Sequence, residues 1–189
     1  MKRNWFGTLA LVGSLAFVHS VHAQGSGTKA PAGSETRKAN LRVQKLDGRS
    51  ISLTDGIKDK PALLIFWASW CPVCREQTRS FQEAFDRSRK TGLQVMAINI
   101  GVKETLGSAK KYALENRLTL PIYFDGDHSV TKAFNVASTP TILLLDRTGK
   151  VVSKGNEIDL DAIDALIAGK PIPRKEARPV PAGSGSTGR

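Results

Sequence analysis

The chain contains only two cysteines, Cys71 and Cys74, and two residues separate them. They come shortly after the apolar run "ALLIFWA" (62–68). A cysteine pair at this spacing can ligate a metal ion, attach haem, form a structural disulfide or exchange electrons with the disulfide of another protein. These kinds of chemistry require different neighbours, so the rest of the sequence distinguishes between them.

Histidine is too scarce for a metal or haem site. A structural zinc site takes four Cys or His ligands, whereas His128 is the only histidine after residue 23. An iron–sulfur cluster needs more than two thiolates. Covalent haem attachment requires a histidine directly after the second cysteine, where this chain has Arg75. A copper site would lack histidine and methionine ligands, so we expect neither a metal nor a cofactor.

A structural disulfide and a reactive dithiol remain. A bridge across so short a loop restrains little of the unfolded chain, and it tends to be strained and reducible. A reactive dithiol has a positive explanation, because the pair lies where a buried strand ends and a helix begins. Cys71 would cap that helix, where free N–H groups and the helix dipole stabilise a thiolate, and Pro72 suits the first helical position. We predict Cys71 as the nucleophile, Cys74 as the less exposed resolving thiol, and Trp70 as an apolar surface beside them.

The elements that position this pair follow from the hydrophobic pattern. The segments 62–68 and 93–100 are apolar at almost every position, which is typical of strands covered on both faces, and 120–125 predicts a shorter strand. Hairpins are predicted around Asp47-Gly48 and Arg147-Thr148-Gly149. Apolar residues at helical spacing predict four helices with these inward residues: 74–90 (Phe81, Ala84, Phe85), 104–117 (Leu106, Ala109, Ala113), 127–136, and 159–169 (Leu160, Ile163, Leu166, Ile167). The order β-β-β-α-β-α-β-α-β-β-α indicates an α/β protein with a central mixed sheet flanked by helices.

The two ends of the chain differ in composition from its middle. A basic start, an uncharged run over 5–18 and small residues before Gln24 predict a cleavable signal peptide over 1–23. The alternative is an uncleaved anchor, although the run is shorter than the roughly 20 residues that span a bilayer. Gly, Pro, Ser and charge predict a flexible linker over 24–40 and a disordered tail over 170–189. The domain between them, 41–169, carries only +3 of the net charge of +11, so we interpret the basic ends as solubilising segments and expect no nucleic-acid partner.

The segment "FWASWCPVCR" resembles the active-site segment of the thioredoxin superfamily. Together with the leading hairpin and "STPTILLLDRTGKVV", it makes 41–169 similar to the exported TlpA/ResA/DsbE branch of that superfamily. The resemblance implies a thioredoxin-like fold with an N-terminal β-hairpin extension, in which the peptide bond before Pro140 is cis and faces the dithiol. The surface that it implies for docking a substrate consists of Trp70, Pro72, Val73, Thr139 and Pro140.

This chain departs from the family where a carboxylate is expected. Thioredoxins carry a buried acid six residues before the first cysteine, where this chain has Ile65. The envelope branch often has a glutamate three residues after the second cysteine, where this chain has Gln77 after Glu76. A helix-kinking proline is replaced by Arg79. The group that carries the proton of the resolving thiol is therefore unassigned, and slow resolution is expected.

The resemblance implies a monomeric periplasmic thiol–disulfide oxidoreductase. We expect it to reduce the disulfides of envelope proteins such as apocytochrome c in cytochrome c maturation, and to be recharged by a membrane-bound electron donor. Three alternatives stay open: an oxidase that inserts disulfides, a binding or chaperone-like module without turnover, and a peroxidase. The sequence weakens the peroxidase alternative, because the PxxxTxxC context of peroxiredoxins is absent. Neither the client nor the direction of electron flow follows from the sequence.

Overall fold

Strand β3 (Ala62–Trp67) is the centre of the fold, since all six of its residues are buried. It pairs in parallel with β4 (Gln94–Asn99) on one side and antiparallel with β6 (Thr141–Leu145) on the other. Both neighbours are almost completely buried as well. Strands covered on both faces are expected to be continuously apolar, which explains the unbroken runs in the sequence.

The computed structural model describes residues 41–173, which include seven strands and five helices. The predicted signal peptide (1–23), the predicted linker (24–40) and all but residues 170–173 of the predicted tail lie outside the described residues. The remaining elements are β1 (Arg42–Lys45), β2 (Ser50–Ser52), α1 (Leu53–Ile57), α2 (Pro72–Ser88), α3 (Leu106–Glu115), β5 (Ile122–Phe124), α4 (Ser129–Ala133), β7 (Val151–Gly155) and α5 (Leu160–Ile167).

The seven strands form one mixed sheet with the order β2-β1-β5-β4-β3-β6-β7. Strands β3, β4 and β5 are parallel, and their connections pass through α2 and α3, as parallel neighbours require. The predicted N-terminal hairpin joins this sheet, because β1 pairs antiparallel with β5 through Gln44 opposite Phe124. The predicted mixed sheet with flanking helices is confirmed.

Both predicted hairpins are present, and each has an aspartate and a glycine in its turn. In the first, the Asp47 carboxylate accepts from the Arg49 N–H at 3.0 Å, and Gly48 has a φ of +86°. In the second, the Asp146 carboxylate accepts from the Thr148 N–H at 2.9 Å, and Gly149 has a φ of +78°. An aspartate side chain can accept a hydrogen bond from the backbone N–H two residues later, and glycine tolerates positive φ. These two properties explain why such pairs mark turns.

Three of the five described helices, α2, α3 and α5, begin at a side chain that accepts from a free backbone N–H group. Thr105 caps α3 and forms a capping box with Ser108, and Asp159 caps α5 by accepting from the Ala162 N–H at 3.0 Å. The predicted inward residues of α2 and α3 are at least half-buried. Helix α5 ends before Gly169, which has a φ of +65°.

Two details of the sequence interpretation were wrong. The segment that follows β2 forms a short helix, α1, where the sequence predicted no helix and placed Leu53 in the hairpin. Leu160, predicted to face inward, is 37% exposed, because it is the first residue of α5 and lies beyond the packed face. Ala162 and Ile163 make the buried contact of that helix instead.

Candidate active site

A tight turn at the end of β3 delivers Cys71 to the start of helix α2. The Cys71 N–H donates to the carbonyl of Ala68 at 3.3 Å, which closes the turn. Cys71 is then the N-cap of α2 in extended conformation, and Pro72 is the first helical residue, as predicted. The Cys71 Sγ accepts from the backbone N–H of Cys74 at 3.2 Å. The thiol of Cys71 therefore occupies the place that a capping oxygen takes in other helices.

The surroundings of Cys71 lower its pKa below the ordinary thiol value. Burial by itself would raise the pKa, because Cys71 is only 4% exposed. Hydrogen bonds from the Cys74 thiol, from the Thr139 side chain and from the N–H groups of Cys74 and Val73 outweigh burial and favour the thiolate. A thiolate is the nucleophile in disulfide exchange, so Cys71 is the activated member of the pair.

The surroundings of Cys74 act in the opposite direction. Cys74 lies one turn later on α2 and is 1% exposed. Burial, followed by the hydrogen bond to Cys71, raises the pKa of Cys74 to about 12. The hydroxyl of Thr78, one turn later on α2, donates to the Cys74 carbonyl at 3.0 Å. Both cysteines are free thiols in this structure, and they form an asymmetric pair in which the Cys71 thiolate is stabilised and the Cys74 thiol is kept protonated.

The segment before β6 lies against the dithiol, as the resemblance implies. The Thr139–Pro140 peptide bond is cis. The Cys71 thiol donates to the Thr139 carbonyl at 3.4 Å, a contact that is made only while Cys71 is protonated. Pro140 is buried and Thr139 is half-buried. The structure therefore brings Thr139 and Pro140 to the two cysteines from a position 68 residues later in the chain.

The remaining predicted docking residues form an exposed rim beside Cys71. Trp70 is 48% exposed and Val73 is 45% exposed, and Pro72 between the cysteines is exposed as well. Val102, from the segment after β4, is 38% exposed and adjoins Trp70, because its carbonyl accepts from the Trp70 Nε1 at 2.7 Å. Exposed apolar side chains around a nucleophile are suited to contact an incoming polypeptide.

No carboxylate occupies either position where the family has one. Ile65 is fully buried in β3. Gln77 donates its Nε2 to the Asn156 carbonyl at 3.1 Å, while its Oε1 is buried without a hydrogen-bond partner. Glu76 is exposed on α2. Arg79 is exposed and pairs with Glu83 one turn later.

One carboxylate near the site was missed by the sequence interpretation. Glu104 accepts from the N–H of Ser69, which lies two residues before Cys71, with both oxygens at 3.1 Å. It also accepts from the Nδ2 of Asn99, the last residue of β4, at 2.6 Å. The available signal was a pair of polar residues, Asn99 and Glu104, around a glycine directly after a buried strand. Their link to Ser69 spans 35 residues and has no periodic pattern.

Residues 41–173 contain neither a cluster of side chains suited to a metal ion nor a helix suited to spanning a membrane. This part of the chain holds no group of three or more His, Cys, Asp or Glu side chains arranged to bind a metal ion. Among the helices in the same residues, none has the length and apolar character needed to cross a membrane.

The sequence matches a known family and named relatives. The pattern of the AhpC/TSA family matches residues 28–154. The thiol-disulfide oxidoreductase ResA of Geobacillus thermodenitrificans is 34% identical over 109 residues, which cover 58% of this chain and 61% of the relative. ResA of Bacillus subtilis strain 168 is 27% identical over 113 residues, which cover 60% of this chain and 62% of the relative. The chain thus spans less than two thirds of these proteins.

Solved structures share the fold. A pneumococcal exposed lipoprotein thioredoxin, Etrx1 of Streptococcus pneumoniae, is 25% identical with a TM-score of 0.59, covering 68% of this chain and 98% of that one. A secreted Mycobacterium tuberculosis disulfide oxidoreductase homologous to Escherichia coli DsbE is 19% identical with a TM-score of 0.59. The match covers 71% of this chain and 98% of that one. At that identity the second likeness shows the fold alone. The predicted thioredoxin-like fold is confirmed.

Proposed function

The chain belongs to the AhpC/TSA family of the thioredoxin superfamily, and on that premise we propose that it is a thiol–disulfide oxidoreductase that acts through Cys71 and Cys74. The observation that carries the proposal is the asymmetry of the pair. Cys71 has a lowered pKa at the N-cap of α2, and Cys74, one turn away, has a pKa of about 12. Two cysteines that only formed a structural bridge would not need opposite protonation.

The exchange proceeds in two steps. The Cys71 thiolate attacks one sulfur of a substrate disulfide; that S–S bond breaks, a mixed disulfide forms, and the leaving substrate thiolate takes up a proton. Cys74 then loses its proton and attacks the Cys71 sulfur, which breaks the mixed disulfide and releases the second substrate thiolate, and that thiolate takes up a proton. The substrate disulfide has gained two electrons and two protons, and Cys71 and Cys74 are left joined as a disulfide.

We propose that the protein works as a reductant in the periplasm. The residues between the cysteines, Pro72 and Val73, are uncharged, so hydrogen bonds and the helix start are the sources of thiolate stabilisation at Cys71. Stabilisation of the thiolate without a charged neighbour supports a reducing or weakly poised couple rather than a strong oxidant. In an oxidising compartment such a couple must be recharged, and we propose a membrane-bound electron donor for that step.

The exposed rim supports a protein substrate. Trp70, Val73 and Val102 expose apolar surface beside Cys71, and Thr139 and Pro140 border it. We propose that this rim docks an extended segment of a client that carries a disulfide, such as apocytochrome c, and that the protein acts as a monomer.

Insulin reduction tests the activity. Wild-type protein with a chemical reductant should precipitate the insulin B chain, and Cys71→Ser should not. If the wild type reduces insulin no faster than Cys71→Ser does, the remaining function is binding without turnover. Equilibration in a glutathione series tests the direction: a potential near the thioredoxin value of about −270 mV supports a reductant, and one near −120 mV refutes it. Mixed disulfides trapped on a Cys74→Ala variant in cells would identify the clients.

A further inference from the structure

The turn that delivers Cys71 is held at both of its central residues by one segment, 100–104. The second residue of the turn, Ser69, donates its N–H to both carboxylate oxygens of Glu104 at 3.1 Å, and its hydroxyl donates to the same carboxylate. The third residue, Trp70, donates its indole N–H to the Val102 carbonyl at 2.7 Å. The contact that closes the turn, from the Cys71 N–H to Ala68, is longer at 3.3 Å. The turn is thus held mainly from outside.

Glu104 is itself fixed to the centre of the sheet. Its carboxylate accepts from the Asn99 Nδ2 at 2.6 Å, and Asn99 is fully buried at the end of β4, opposite Trp67 of β3. The other side-chain atom of Asn99, its Oδ1, accepts from the Gly101 N–H at 2.9 Å and shapes the same segment. The carboxylate therefore links the catalytic turn to the two central strands.

We infer that Glu104 is a positioning residue for the exchange reaction, an inference that rests on the proposed function. The Cys74 N–H, one of the donors that stabilise the Cys71 thiolate, lies 3.2 Å from the Cys71 Sγ. That placement depends on where the preceding turn sets the Cys71 backbone. Ser69 is half-buried and Trp70 is exposed, so packing holds this turn only in part, and the charge-assisted hydrogen bonds of Glu104 supply further restraint. Glu104 acts through the turn and not by contact with either sulfur.

The carboxylate suits this task better than an amide would. Its two oxygens accept from three donors, the Ser69 N–H, the Ser69 hydroxyl and the Asn99 amide. A glutamine would keep one accepting oxygen and turn an N–H₂ group toward the remaining donors. Alanine would leave every one of these donors without its partner.

Four variants test the inference: Glu104→Ala, Glu104→Gln, Ser69→Ala and a control, Glu115→Gln. Glu115 is exposed at the end of α3, where it pairs with Lys111 at 3.8 Å. The readouts are the thiolate absorbance of Cys71 at 240 nm against pH, kcat and KM for insulin reduction, and the urea midpoint. We expect Glu104→Ala to raise the pKa of Cys71 and to lower kcat by roughly 10- to 100-fold with little change in KM. Glu104→Gln and Ser69→Ala should change the pKa of Cys71 and kcat by less, and Glu115→Gln should change neither.

A folded Glu104→Ala protein whose Cys71 titration and kcat match the wild type would overturn the inference. If Glu104→Ala does not fold, the same criterion applies to Glu104→Gln and Ser69→Ala. The proposed function fails separately, if the wild type itself does not reduce insulin. In that case the titration of Cys71 still decides whether Glu104 positions the thiol.

Discussion

Variants that keep only one of the two cysteines should show a large difference between the pKa values of Cys71 and Cys74. In Cys71→Ser only Cys74 remains, and in Cys74→Ser only Cys71, while serine keeps a hydroxyl that can replace the lost hydrogen bond. A pKa of about 12 for Cys74 lies about three units above the ordinary value of 9.0. At pH 7 this leaves about a thousandfold less thiolate than an ordinary cysteine has, a difference of about 4 kcal/mol.

The assay is the rate of alkylation by iodoacetamide between pH 5 and pH 10.5. Cys71 in Cys74→Ser should reach half of its maximal rate below pH 9, because its pKa is lowered. Cys74 in Cys71→Ser should react slowly and keep gaining about tenfold per pH unit through pH 9. Both thiols should titrate near the ordinary value in urea. A plateau for Cys74 at or below pH 9 in the folded variant would refute the reasoning from burial.

The same pKa shifts predict how the stability of the reduced protein depends on pH. The folded pKa of Cys74 is raised, so its contribution to stability is complete below pH 9 and is lost as pH rises toward about 12. The folded pKa of Cys71 is lowered, so its contribution is complete above pH 9 and is lost as pH falls through that pKa. Between pH 9 and pH 10, urea unfolding should show a loss of about 1 kcal/mol that is absent in Cys74→Ser. Equal losses of stability in the wild type and in Cys74→Ser would contradict the assignment of the raised pKa to Cys74.

Three other predictions concern neighbouring residues and the redox couple. Gln77→Glu places a carboxylate where the family often has one and should speed resolution of the mixed disulfide in stopped-flow exchange; rates equal to wild type would show that Gln77 is not limiting. The potential of the Cys71–Cys74 couple should fall by about 59 mV per pH unit below the pKa of Cys71 and by about 30 mV above it, since one of the two protons is then no longer taken up; a constant slope up to pH 9 would exclude the lowered pKa. Gly101→Ala puts a Cβ 2.6 Å from the Asp125 carbonyl at a φ of +70°; we expect a loss of about 1–3 kcal/mol in urea unfolding, and an unchanged midpoint would be evidence against the close approach.

The sequence was informative wherever the signal is local. The apolar run before the cysteines predicts β3, Pro72 after Cys71 predicts the helix start, and Asp47-Gly48 predicts the first hairpin. Each depends on residues within one element or one turn, where backbone preference and periodicity act. The Cys71 cap could be inferred for the same reason.

The features that the sequence did not reveal depend on packing between distant segments. Helix α1 contains Gly56, a weak helix former, but a Cβ there would lie 2.8 Å from the Met96 Sδ, so close packing against β4 explains the glycine. The contact of Glu104 with Ser69 joins the segment after β4 to the turn after β3. The strand order, with β1 beside β5, is likewise set by the assembled sheet. Neither propensity nor periodicity carries such information.

The pairing of β3 with β6 has a consequence for how the chain matures. Ala62 lies opposite Leu145, and Thr139 reaches Cys71 across 68 residues, so the site closes only when a late segment docks on an early one. Long-range pairing of this kind slows folding, because a large loop must close first. Until then neither cysteine has its contact with Thr139. The full difference between the two cysteines therefore requires the later segment to be docked, and a chain without that docking lacks part of the stabilisation of the Cys71 thiolate.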